Sequence, residues 1–423
     1  MTQVLPRRAI VPVVVQQHVE DAAILFSTRN ALVRSPHAKL HHLRRFDDRL
    51  AAHLEGLAIA GDQAKSMCQA ALEQGGAGPA FVAAIRALDS QDTQWLKQLV
   101  SLAEAVPTSQ AGLKAAFGWS AGAQLRGIVV DLLDNGTPAE RAVGVAACAM
   151  HRIDPNLGPN RRLEDADPAV RARAYRTAGE LGKREFLSRL GAASREEDPT
   201  CQLWAAWAAV LLGDRQEALE RLSAAGRQEG PFRARAFRLS LLAAAAPQAH
   251  EQLRSLAQDE AQIRWLVQGA GLVGDPTYVP WLMKHMADDK LARLAGESFS
   301  LITGADLAAL DLERKPPEQP VDGPNDEARD PNVELNEDDD LPWPDVARME
   351  RWWAQNSSRF PSGQRYFAGA PVSREQCMEV LKNGYQRQRM LAAHHLSLLE
   401  PGSVMFEWRA PAWRQSQALA VLG

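Results

Sequence analysis

Apolar residues along this chain recur mostly at three- and four-residue steps, the signature of helices rather than strands. Leu40, Leu43, Phe46, Leu50, Leu54 and Leu57 form one such stripe, the buried side of an amphipathic helix. Gly78 and Pro79 open a second helix carrying Phe81, Ile85 and Leu88, and Trp95, Leu96, Leu99 and Leu102 mark its partner. From Thr137-Pro138 onward the punctuation becomes regular. Asp167-Pro168, Asp198-Pro199 and Gly230-Pro231 each precede an Ala-rich helical stretch, with prolines 30, 31 and 32 residues apart. Proline suits the first turn of a helix, where its missing N–H is not needed, and an Asp before it caps the exposed amides. Two further units start near Glu260-Ala261 and Asp289-Lys290, keeping the period without the proline. Helix ends keep step as well. Leu181-Gly182, Leu212-Gly213 and Val273-Gly274 each close a helix of about fourteen residues with a residue that tolerates the left-handed conformation, and shorter helices follow at residues 184–190 and 215–223.

Helix, glycine turn, shorter helix, Asp-Pro: repeated every 30 residues or so, this grammar predicts antiparallel helix pairs, each of which must stack on its neighbours to bury its apolar side. Val170-Arg-Ala-Arg-Ala-Tyr-Arg176 and Phe232-Arg-Ala-Arg-Ala-Phe-Arg238 match at an offset of 62 residues, two units. Here the chain resembles the HEAT-repeat family, whose helices begin Asp-Pro-x-Val-Arg-x-x-Ala and end Leu-Gly, as Asp167-Pro168-Ala169-Val170-Arg171-Ala172-Arg173-Ala174 and Leu181-Gly182 do. The resemblance covers roughly residues 137–304 and implies an all-α, HEAT-like solenoid of antiparallel helix pairs. The expected division is a divergent N-terminal cap at 1–36, the solenoid at 37–313, an acidic Pro-rich linker or strap at 314–345, and a Trp-rich C-terminal helical module at 346–423.

The strap stands out by composition. Pro316, Pro317, Pro320, Pro324, Pro331, Pro342 and Pro344 exclude a regular helix or central strand, and residues 316–342 hold ten acidic side chains against Arg329. It reads either as a solvated tether or as a strap lying across the helical array. The end of the strap and the module after it carry five of the eleven tryptophans (Trp343, Trp352, Trp353, Trp408, Trp413), and residues 386–399 read as one last, modified repeat helix whose pair closes the array. Leu341-Pro342-Trp343-Pro344-Asp345, Trp352-Trp353, Arg365-Tyr366-Phe367-Ala368-Gly369, Gln386-Arg387-Gln388-Arg389 and Arg409-Ala410-Pro411-Ala412-Trp413-Arg414-Gln415 resemble the signature of an uncharacterised bacterial family often encoded among type VI secretion genes. That resemblance extends over nearly the full chain and brings no catalytic residues with it.

Bulk composition changes this picture little. With 46% hydrophobic and 24% charged residues, the chain is neither disordered nor membrane-like. The net charge of −4 conceals a strap near −9 beside a body near +5, too mild for a dedicated nucleic-acid binder. Cys68, Cys148, Cys201 and Cys377 are widely spaced, as expected of core residues in a reducing cytosol. Pro6, Arg7 and Arg8 precede an apolar run at residues 9–15 that is too short for a secretion signal, and the expected location is cytoplasmic.

Candidate chemistry is sparse. His37, His41 and His42 have helical spacing but no obvious further ligand, and His394-His395 read as a partly buried pair. No GxGxxG, Walker loop or GxSxG elbow occurs, and the small residues at 118–127 follow no strand, so neither cofactor nor metal is expected. The arginine sets Arg171, Arg173, Arg176 and Arg233, Arg235, Arg238 read in two ways. Either the first of each pairs with a turn Asp or carbonyl while the others solvate the helix, or stacking lines them into a basic ridge for an acidic partner. With Trp343, Trp352, Trp353, Arg387 and Arg389 they make up the candidate partner-binding residues. The function expected is a non-catalytic protein-binding scaffold, adaptor or chaperone that serves a secretion-system effector or spike component or neutralises a toxin. The other class is a HEAT-like enzyme such as a DNA glycosylase or bilin lyase, which a basic channel beside a buried carboxylate would favour.

Overall fold

The computed structural model describes residues 10–158, 161–317 and 337–422. Among them are 21 α-helices and one two-stranded antiparallel hairpin, Tyr366–Phe367 with Ala370–Pro371. The repeat region is built of two rows. Helices Pro138–Met150, Pro168–Glu180, Pro199–Leu211, Arg233–Ala243, Ile263–Val273 and Ala292–Thr303 stack one on the next. Shorter helices Leu187–Ala193, Glu217–Arg227, Ala246–Leu256 and Val279–His285 form the second row, each packed against the long helix that follows it.

Helix starts follow the local chemistry. Thr137 and Glu140 form a reciprocal capping box with bonds of 2.8 and 3.3 Å, Asp167 accepts from the amides of Ala169 and Val170, and Asp198 accepts from Cys201 at 2.7 Å. Two expected starts move downstream. Gly230 offers no side-chain acceptor, so its helix begins at Arg233, and Asp288 caps the turn before Ala292, where Asp289-Lys290 had marked the boundary. Gly182, Gly274 and Gly304 end their helices with φ of +67°, +72° and +70°.

At the N-terminal end, Pro12–Leu32 packs along Leu40–Ala60 and Ala77–Asp89. Pro12 lies in the first turn of that helix, where it initiates rather than interrupts. Leu43, Leu50, Leu54 and Leu57 of the expected stripe are buried, yet Asp47 is buried with them while Phe46 is only half-buried.

The C-terminal part departs from expectation. Rather than adding a closing pair beyond the last repeat, it turns back and runs along the long-helix row towards the first helices. Val346–Asn356 packs beside Val279–His285, and the Tyr366–Phe367 hairpin binds the ends of two long helices through Tyr366 N–H to Gly274 O (2.8 Å) and Ala368 N–H to Leu301 O (2.6 Å). Gln386–Leu399 pairs with Arg374–Asn383 and crosses Pro199–Leu211 and Arg233–Ala243. Met405 N–H then reaches Glu180 O (2.9 Å), and Ala412–Leu422 packs on Leu40–Ala60. The reason is visible in Gln386–Leu399, which buries residues all round its circumference, from Gln386 and Arg389 to His394, His395 and Ser397. A terminal cap helix would keep one polar face. Accordingly Leu391, Leu396, Phe406 and Trp408 share one core with Trp204, Trp207 and Phe237 of the repeats.

Candidate functional site

The two arginine sets divide by position. Arg171 donates to Glu196 (3.0 Å) and to the carbonyls of Asp165 (2.8 Å) and Ala166 (3.0 Å), so it ties its helix to the flanking turns. Arg233 plays the same part through Glu229 and Gln262, with its guanidinium 4.2 Å over Trp265. Arg141–Asp165 (2.7 Å) and the exposed Arg195–Glu217 pair continue this ladder between repeats.

The second and third arginines face the returning C-terminal segment instead. Arg173 and Arg176 both grip the buried Glu180, at 2.8 and 2.7 Å. Burial alone would raise the Glu180 carboxyl, but Arg173, Arg176 and Arg152 outweigh it and hold it well below the usual carboxylate range. Arg176 and Arg235 stack on the same Trp204 ring, at 4.6 and 5.0 Å. Arg238 meets Met390 Sδ at 3.4 Å, and Arg409, on the returning segment, lies 5.5 Å over Trp408. Trp204, Trp207, His394 and Trp408 form a continuous aromatic chain with centroid separations of 5.4 to 6.3 Å. Burial, then crowding by Arg176, lowers Arg235 to about 10; burial and Arg409 do the same to Arg238. Both His394 and His395 are pushed down to about 3 by burial and are neutral at pH 7.

The remaining candidates hold the C-terminal segment in place. Arg387 forms a bidentate pair with Glu297 (2.9 and 3.0 Å) and donates to Arg34 O. Arg389 is fully buried, donating to Leu381 O and Gln415 Oε1 at 2.7 Å, so no partner can reach it in this arrangement. Trp343 lies between Arg293 (4.9 Å) and Arg314 (5.1 Å), and Trp352 and Trp353 both contact Phe299. Of the acidic strap, residues 318–336 lie outside the described residues. Its last part meets basic groups: Asp338 accepts from Arg264 at 2.9 Å and Asp339 from Arg293 at 3.1 Å.

Two anchors were not among the candidate partner-binding residues. Arg365 donates to the carbonyls of Leu241, Leu242 and Ala244. Arg29 pairs with the fully buried Asp47 and donates to Ala410 O (2.9 Å), while Asp47 accepts from Ala412 N–H (2.6 Å), joining the two ends of the fold. A polar Asp47 in an otherwise apolar stripe was the available signal.

His42 accepts from Lys39 N–H and His37 bonds Ser35, and no group of three His, Cys, Asp or Glu among the described residues is arranged to hold a metal. Burial raises the thiols of Cys68, Cys201 and Cys377 to about 12 and that of Cys148 to about 11, so none is a thiolate at neutral pH. No helix among the described residues is long and apolar enough to cross a membrane.

Stacked helix pairs with capped starts, glycine ends and an arginine ladder between turns define a helical-repeat protein. A family model described as HEAT repeats matches residues 161–242, the stretch that holds both arginine sets. No curated protein matches the chain.

Proposed function

We propose that this chain is a non-catalytic protein-binding scaffold or adaptor, working in the cytoplasm of a bacterium. The HEAT repeats at 161–242 carry the reading, because stacked helix pairs present extended faces that bury large areas of a partner without needing a deep pocket. One face of the long-helix row is already covered by the chain's own C-terminal segment, so a protein partner meets the surfaces left free. Among the described residues, six of the fourteen exposed large apolar side chains (Ile10, Val11, Val13, Val14, Ile24 and Ile59) belong to the first two helices and their lead-in, which favours that end. The resemblance of the 341–415 motifs to a family encoded among type VI secretion genes supports an effector or spike component as partner, with chaperoning or toxin neutralisation as forms of the same role. The strap at 314–345 contributes acidic charge beside this scaffold.

The arginines around Glu180 and Glu297 favour a second reading, a nucleic-acid-processing enzyme. Against it, both carboxylates are already ion-paired to arginines and the face they lie on is covered. Affinity purification of the full chain, alongside a Val13→Asp/Ile24→Asp variant, tests the scaffold. A protein recovered by the native chain and lost from the variant supports it; recovery of nucleic acid without any protein overturns it.

A further inference from the structure

Where the C-terminal segment crosses the long-helix row, several arginines are left without an ion-pair partner. The side chains of Arg34, Arg235, Arg238 and Arg409 make no ion pair with any described carboxylate. Of the acids nearby, Glu180 is taken by Arg173 and Arg176, Glu297 by Arg387, and Glu407 by Arg152 at 3.3 Å, while the exposed Glu337 acts on Arg238 without forming an ion pair. These arginines come from three separate parts of the chain yet act on one another's charge. Arg235 shares the Trp204 ring with Arg176, Arg238 rests on Met390, and Arg409 covers Trp408 one ring along from His394. The buried Nε and Nη1 of Arg173 also lack an acceptor.

Two features show that this is a site rather than an internal brace. Arg34 and Arg409 are exposed and Arg235 and Arg238 half-buried, so solvent reaches the cluster. The buried His394 between them is neutral and adds no further positive charge. Like charges held together against their repulsion, with planar forks free to donate, suit a compact anion bearing several charges and several acceptors. A single carboxylate would neutralise only one arginine, whereas a phosphate presents three acceptor oxygens and about two charges.

We propose that Arg34, Arg235, Arg238 and Arg409 form a binding site for a ligand carrying phosphate groups. The site does not depend on the scaffold reading, and the two can fail separately.

The test is calorimetric titration of the full chain with inorganic tripolyphosphate, and in a second arm with a single-stranded oligonucleotide. Saturable tripolyphosphate binding is expected, weakened at least tenfold by Arg235→Gln/Arg238→Gln and by Arg409→Gln, and unchanged by Arg195→Gln in the exposed ladder. Arg238→Lys keeps the charge and restores most of the affinity in the double variant's background. Tighter binding of the oligonucleotide assigns the phosphate source to a nucleic-acid backbone; binding of tripolyphosphate alone assigns it to a small ligand. Without ligand, Arg409→Gln melts no lower than the native chain, because it removes repulsion and no ion pair. Absence of binding in both arms at millimolar concentration overturns the proposal, as does undiminished affinity in the variants. Binding of an oligoglutamate peptide in place of either phosphate probe overturns it too.

Discussion

Buried charge decides which single residues matter most. Asp47 is fully buried with its two oxygens satisfied by Arg29 and the Ala412 amide. Asp47→Ala strands the Arg29 guanidinium without its partner, and chemical denaturation is expected to show a loss of about 3–5 kcal/mol. The exposed Arg195–Glu217 pair gives the opposite result: Arg195→Ala leaves the thermal midpoint unmoved, since water and salt replace an exposed partner. The histidines set an acid limit. Unfolded, His394 and His395 titrate near 6.5; folded, near 3. Above pH 6.5 both states are neutral and the contribution is complete. As pH falls from 6.5 towards 3 the unfolded chain takes up protons that the native one refuses, so stability drops by about 1.4 kcal/mol per pH unit for each histidine. Denaturant titrations at pH 7.5, 6.5 and 5.5 are expected to show this slope, reduced in His394→Gln.

At the scale of elements, the glycines that end the long helices do two things at once. Gly182, Gly274 and Gly304 need positive φ, and a Cβ on any of them would press into the backbone of the returning segment, at Gly402, Tyr366 and Ala368 respectively. Gly274→Ala therefore adds a left-handed alanine, about 1–2 kcal/mol, to a displaced hairpin, and limited proteolysis is expected to cut first near residue 366. At Gly182 and Gly274 the first of these duties was legible in the sequence, because a cap is a local event written in adjacent letters, as were the Thr137 and Asp167 starts. The second was not, since Gly274 and Tyr366 are 92 residues apart and no period links them. The same limit applies to the arginines. The helical grammar placed Arg235 and Arg238 on one repeat helix, but Arg34 and Arg409 join them only through contacts that leave no local pattern. Arg389 shows the converse, a motif residue whose helix start looked like a surface and whose side chain is the largest fully buried one among the described residues.

For the whole molecule, the returning segment changes what kind of repeat protein this is. An open stack gains stability from nearest neighbours and frays from its ends. Here residues 366–412 touch long helices from Ala292–Thr303 back to Pro168–Glu180 and then the N-terminal helices, so distant repeats are held by one common element. Deleting residues 374–422 exposes Trp204, Trp207 and Phe237 together, and light scattering is expected to show association in place of a monomer.

The Arg29 bond to the Ala410 carbonyl spans 381 positions. During synthesis at about 5–20 residues per second, the Asp47 carboxylate waits roughly 20–80 s for the amide that completes its shell. Over that interval the early helices hold a charge whose final partner has not been made, and the repeats can stack but cannot lock. High contact order thus enters a fold class that normally avoids it, and refolding is expected to be slow and governed by the arrival of the returning segment rather than by the stacking of helices.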